Sequence, residues 1–179
     1  MWNGSIDRYP TSIARCADAA DVATALRFAR THGLLVAVRG GGHSFPGHSV
    51  CDDGMVIDLS LMKGIRVDPD ARTARVQAGC CSGNSTRATQ DYALAVTAGI
   101  VTHTGVAGLT LGGGIGWIMR KYGLTVDNLH SVEMLTADGG VGDGKRPQRM
   151  PTCFWGVRGG GGNFGIVTEF RVPAAPAGA

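Results

Sequence analysis

The sequence predicts an α+β domain, and three observations carry that reading. One amphipathic helical pattern, residues 18–33, runs directly into an apolar strand-like segment. The later strand-like segments are irregularly spaced and mixed with short helical stretches, unlike regular βαβ alternation. Three glycine clusters, within 39–44, 105–117 and 158–165, each lie beside an apolar run. Glycine makes up 29 of 179 residues, about twice average usage, with no collagen period. Clustered glycine means either tight turns in a loop-rich β protein or backbone that approaches a ligand closely. The recurrence of three clusters favours the ligand.

In chain order, DAADVATALRFARTHG (18–33) places Val22, Ala25, Leu26 and Ala29 at i, i+3, i+4 and i+7. Asp18 and Asp21 make an acidic first turn, and Gly33 is a suitable stop. LLVAV (34–38) follows as a buried strand, and MVIDLS (55–60) as another. IRVD (65–68) and TARVQA (73–78) flank the turn DPDAR and read as a hairpin. GNSTRATQDYAL (83–94) reads as a helix with Asn84 or Ser85 near its cap, and IMRKYG (118–123) as a short helical stretch. SVEMLTADG (131–139) is a strand ending in a turn, and 158–172 carries the third glycine cluster into a strand. Residues 174–179 form a low-complexity tail expected to be disordered. Segment 140–153, GVGDGKRPQRMPTC, is basic, Pro-rich and without periodicity. It reads as an exposed loop.

Composition excludes several classes. A net charge of +3 and a pI near 8.7, with no Lys/Arg run, argue against a nucleic-acid partner. Five cysteines, two of them adjacent (Cys80 and Cys81) and none in a CxxC, argue against a disulfide framework or structural zinc. No apolar stretch approaches the roughly 20 residues that span a bilayer, and MWNGSIDRYP has no signal-peptide pattern. The expectation is a cytoplasmic chain with no membrane partner.

The glycine clusters fail the common nucleotide fingerprints. RGGGHSFPG and GGGIGW break GxGxxG, and GGGNFG (160–165) opens onto a strand where that motif needs a helix. No P-loop is present. What remains for RGGGHS (39–44) is a cradle in which successive N–H groups face an anion. Gly40, Gly41 and Gly42 let the backbone approach a pyrophosphate, and His43 stands beside it as a potential nucleophile. A glycine hairpin with an ordinary histidine is the alternative. His43, His48, Cys51 and Asp52 also sit close in sequence and offer a second alternative, a metal-binding module, although H-x4-H-x2-C matches no standard motif. His103, in GIVTHTG, reads as a loop or core histidine.

In their order along the chain, RGGGHS, GVAGLTLGGGIGW and RGGGGNFGIVTEF resemble the FAD-binding domain of the vanillyl-alcohol oxidase / p-cresol methylhydroxylase (PCMH-type) flavoproteins. The closest resemblance is to berberine-bridge-enzyme-like FAD-linked oxidases. It runs from IDRYPTSIARC to TEFRV and implies two small α+β subdomains, roughly 1–62 and 63–173, with FAD between them. Arg39, Gly40, Gly41, Gly42, His43 and Ser44 would hold the diphosphate, and His43 would bond the flavin 8α carbon covalently. Val101 stands where some relatives carry a second linking cysteine, so a single link is implied. Gly105, Val106, Gly108, Leu109, Gly112, Gly113 and Gly114 would line the isoalloxazine, ribityl and diphosphate. Asp127, Asn128, Gly165, Ile166 and Val167 would close on the adenosine half.

The implied chemistry is hydride transfer from a small-molecule C–H to flavin N5, with molecular oxygen as the second partner. Relatives continue into a substrate domain that covers the flavin. The expectation is therefore an oxidoreductase domain without that part, with a flavin-binding fragment lacking turnover as the alternative. No catalytic base can be assigned, since Tyr9, Tyr92 and Tyr122 read as structural. The resemblance also breaks across 140–153 and resumes at Phe154, which suggests a local reading-frame slip.

Overall fold

Two sheets organise the computed structural model, which describes residues 1–138, 141–143 and 151–177. The first sheet is three-stranded and parallel, built from β1 (Ser12–Arg15), β2 (Val36–Arg39) and β3 (Met55–Asp58) in the order β1-β3-β2. Every residue of β3 is buried, as expected of a central strand covered on both faces. Helix α1 (Ala19–Thr31) links β1 to β2.

The predicted stripe is the buried one, since Val22, Ala25, Leu26 and Ala29 pack inward together with Ala23. Asp18 is the N-cap. Its Oδ1 accepts from the N–H groups of Ala20 (2.8 Å) and Asp21 (3.0 Å). Asp18→Ala leaves both donors without that partner and should cost about 1 kcal/mol. The expected drop in Tm is roughly 2–4 °C, measured by far-UV circular dichroism.

The second sheet takes β4 (Ile65–Asp68), β5 (Thr73–Gln77), β7 (Ser131–Leu135), β8 (Val141–Asp143) and β9 (Ile166–Pro173) in the antiparallel order β4-β5-β9-β7-β8. The β4–β5 hairpin has the predicted boundaries to within a residue. Two short strands, β6 (Leu94–Ala95) and β10 (Ala175–Pro176), pair beside it. Helices α2 (Ser82–Gln90), α3 (Val106–Leu111), α4 (Met119–Tyr122) and α5 (Pro151–Gly160) complete the chain. Ile57 from the first sheet and Leu59 just after it share one core with Val76, Leu135 and Phe170 from the second.

Several elements depart from expectation. β1 carries no alternating signal and forms because β3 offers it a parallel edge. α3 lies inside the second glycine cluster, and α5 begins within the segment 140–153 expected to be a loop and runs into the third cluster. The cap of α2 is Cys81. Asn84 Oδ1 instead reaches back to the Cys81 N–H (2.8 Å), and Ser85 is buried.

The expected tail is ordered through Ala177. Ala174 N–H donates to the Arg72 carbonyl and Ala177 N–H to the Ala93 carbonyl, both at 2.8 Å. Backbone pairing thus outweighs low-complexity composition there. Residues 141–143 pair with β7 and are not part of a loop. The reading-frame expectation covers 140–153, of which 140 and 144–150 lie outside the described residues.

Candidate functional site

β2 delivers the chain into the loop 39–44 at the edge of the first sheet. The carbonyl of Arg39 still accepts from the Leu59 N–H (2.9 Å), which anchors the strand end. Beyond it, the N–H groups of Gly41, Gly42, His43 and Ser44 donate to no backbone carbonyl among the described residues. Gly42 has φ +71°, a left-handed conformation that a side chain disfavours. Its carbonyl accepts from the Trp2 N–H at 3.0 Å.

The second glycine cluster meets the first backbone to backbone. Gly105 caps α3, and the Val106 N–H donates to the Cys80 carbonyl (2.9 Å). A Cβ placed on Gly41 would overlap the Cα and N of Gly105, and one on Gly105 would overlap the N of Gly41. Both positions therefore have to be glycine for the loop and the helix start to touch. Gly108, one turn into α3, has open space where its Cβ would be.

All three clusters line one cavity of about 810 Å³. Gly40, Gly41, Gly42, His43 and Ser44 form one wall, and Gly105, Gly108, Leu109 and Gly112 a second. Gly165, Ile166 and Val167, at the start of β9, form a third. No carboxylate, lysine or arginine is among these described lining residues, so an anion there meets N–H groups and hydroxyls. That is the chemistry of a backbone nest.

The remaining candidates lie elsewhere. The Arg39 guanidinium faces Asp58 (3.8 Å) behind the loop. Val106 does not line the cavity but borders a small separate void with Val76 and Phe170. The Gly113 and Gly114 carbonyls accept from the N–H groups of Val126 (2.8 Å) and Thr125 (2.9 Å). Asp127 Oδ2 accepts from the Leu124 N–H (3.0 Å), and Asn128 Nδ2 donates to the carbonyls of Tyr122 and Leu124. These four residues shape the turn that follows α4, and none lines the cavity.

Residues not singled out beforehand also line it, among them Thr104, Ala107, Gly161, Gly162 and Asn163. Gly161 and Gly162 stood in the third cluster, so their signal was present in the sequence.

His43 is the most elaborately held side chain of the site. Its ring stacks on Trp2, with centroids 5.1 Å apart and planes 19° apart. Its Nε2 lies 2.6 Å from Nδ1 of His103. Burial, and then the charge of His103, push the His43 pKa below the ordinary histidine value. The ring is thereby kept neutral, the form with a free lone pair.

The metal alternative fails on geometry. Cys51 is buried with Sγ toward the carbonyl of Met55, and Asp52 accepts from the Tyr9 N–H and pairs with Arg8. His48 lines the same cavity as His43, whereas Cys51 and Asp52 do not. Among the described residues, no three His, Cys, Asp or Glu side chains gather where a metal could sit.

A family described as the FAD binding domain matches residues 10–143. The chain belongs to this family. It is a PCMH-type FAD-binding domain of α+β fold, and its three-walled glycine cavity is a cradle that side chains would fill. The domain is 41% identical over 175 residues to (R)-6-hydroxynicotine oxidase of Paenarthrobacter nicotinovorans, covering 96% of this chain and 37% of that protein.

The crystal structure of 6-hydroxy-D-nicotine oxidase from Arthrobacter nicotinovorans superimposes with a TM-score of 0.93 at 38% identity. That match covers 98% of this chain and 39% of the other. Glucooligosaccharide oxidase from Acremonium strictum, whose FAD is 6-S-cysteinyl and 8α-N1-histidyl, superimposes at 0.89 with 30% identity. That match covers 95% of this chain and 36% of the other. The FAD-binding domain spans about two fifths of the length of the curated relatives it matches. Among the described residues, no helix is long and apolar enough to cross a membrane.

Proposed function

We propose that this chain is the flavin-holding part of an FAD-linked oxidase, with FAD seated between the units 1–62 and 63–173. One observation carries the reading, namely that glycine backbone from three distant segments lines a single cavity with His43 in its wall. When bound, FAD supplies hydride acceptance from a small-molecule C–H and reoxidation by molecular oxygen.

The chain's own residues bind and orient. The N–H groups of Gly41, Gly42, His43 and Ser44 hold the diphosphate. Gly105, Gly108, Leu109 and Gly112 leave room for the isoalloxazine and ribityl parts, and Gly165, Ile166 and Val167 bound the remainder. Arg39, Val106, Gly113, Gly114, Asp127 and Asn128 support these walls by fixing the backbone behind them. His43 makes a single covalent link, since Val101 cannot supply a second. The five cysteines are all free thiols, which supports the cytoplasm as the compartment.

Absorption spectroscopy of the purified chain incubated with FAD tests the reading. The expected result is one flavin per chain retained through gel filtration. A colourless chain after gel filtration overturns it. A flavin-loaded chain that yields no peroxide with any small alcohol, amine or sugar supports the alternative, a flavin-binding unit without turnover.

A further inference from the structure

His103 lies 60 positions from His43 in sequence, yet the two rings share the shortest contact of the site, 2.6 Å between His43 Nε2 and His103 Nδ1. At that distance one nitrogen donates and the other accepts. Two arrangements exist. If His103 Nδ1 donates, the proton of neutral His43 sits on its own Nδ1 and both of its nitrogens are occupied. If His43 Nε2 donates, His43 Nδ1 carries a bare lone pair.

The surroundings separate the two. Among the described residues, nothing hydrogen-bonds His43 Nδ1 and it is not sealed from solvent, whereas His103 occupies Nε2, so Nδ1 is the nitrogen that a bound flavin can reach. Nδ1 can bond a carbon only while it carries a lone pair, which puts the proton of neutral His43 on Nε2. His103 is exposed, so a proton on its outer Nε2 meets water. With His43 Nε2 donating, both protons have partners. Trp2 stacked on the His43 face and His103 on its edge together hold the ring in one orientation.

We propose that His103 is a positioning residue for flavin attachment: it accepts the Nε2 proton of His43 and leaves Nδ1 as the nitrogen that bonds the flavin. This rests on the covalent reading above. The new bond joins Nδ1 to the 8α carbon, which releases a proton. Molecular oxygen would take the electron pair of the broken C–H bond by way of the flavin and, with two protons, one from the carbon and one that His43 gives up, become hydrogen peroxide. His43 then holds one proton too many, and its Nε2 passes that proton to His103 Nδ1.

The test uses the full chain with FAD, as wild type, His103→Leu and His103→Asn. Three readouts apply: FAD retained, covalent fraction against time by in-gel fluorescence, and the protonated nitrogen of His43 by ¹⁵N NMR. In the wild type the proton is on Nε2. His103→Leu retains FAD but links it about 100-fold more slowly, the lower end of what a positioned proton acceptor contributes. His103→Asn, whose amide oxygen can stand near the lost Nδ1, restores the Nε2–H form and part of the rate.

Unchanged linking in His103→Leu, or a wild-type proton on Nδ1, overturns the inference while the FAD reading stands. Wild type that holds FAD and never links it overturns both the inference and the covalent link. Wild type that takes up no FAD overturns the FAD reading, and the NMR of the chain alone then decides the assignment for His43.

Discussion

Denatured His43→Ala should show no flavin fluorescence in a gel, where the proposed histidyl link should give wild type beside it a fluorescent band. The variant keeps the glycine walls of the cavity, so it should still bind FAD and release it as yellow colour on acid precipitation. A band of equal brightness in the variant would move the link to another residue. The same imidazole sets a pH dependence. Its pKa is lowered, first by burial and then by the charge of His103, so the lone pair persists as pH falls past the ordinary value of about 6.5. Attachment should therefore hold at pH 6.5 and fail only at lower pH.

The stability sign follows from the same shift. The folded state binds this proton more weakly than the unfolded state does. The associated stability is present above about pH 6.5 and is lost as pH falls through the lower folded value. Thermal melts between pH 7.5 and pH 5 should show a fall in Tm in acid that is smaller in His43→Gln.

Gly41→Ala should unfold the site. A methyl group there meets the Cα and N of Gly105, and backbone on both sides has no rotamer through which to yield. Overpacking costs about 1–3 kcal/mol, and a backbone-on-backbone overlap belongs at the top of that range. Roughly 3 kcal/mol lowers Tm by roughly 6–12 °C, and FAD retention should fall with it. Gly105→Ala should behave alike, because the overlap is reciprocal.

Gly108→Ala is the control. Its methyl enters open space, so α3 keeps or gains stability, by up to about 1 kcal/mol. FAD binding weakens nonetheless, because the methyl occupies the cavity. Scanning calorimetry gives the first quantity, and titration with FAD gives the second. Equal Tm values for Gly41→Ala and Gly108→Ala would show that the two loops do not depend on their close approach.

Local patterns were legible wherever the signal is a period or a cap. The 3.6-residue stripe of 22–29 and the Asp18 cap specified α1, and the alternating runs around DPDAR specified the β4–β5 hairpin. The glycine clusters announced bare backbone, and twelve of the residues they suggested line the cavity, from Gly40 to Val167. Asp127 and Asn128 carry a local signal as well, because a short polar pair can satisfy its own turn, and here it does. The Pro/Ala tail misled, because the partner for its backbone, Leu94–Ala95, lies some eighty residues earlier.

What the sequence determined by itself was the set of parts: one capped helix, one hairpin, and three stretches of backbone free of side chains. The tertiary structure decided which parts meet. Gly41 touches Gly105, and His43 touches His103, because β2 and α3 are brought together by sheets whose strand order is not the chain order. Such contacts form once strand pairing and a shared core have closed long loops. Neither step leaves a periodic trace in the residues that end up side by side.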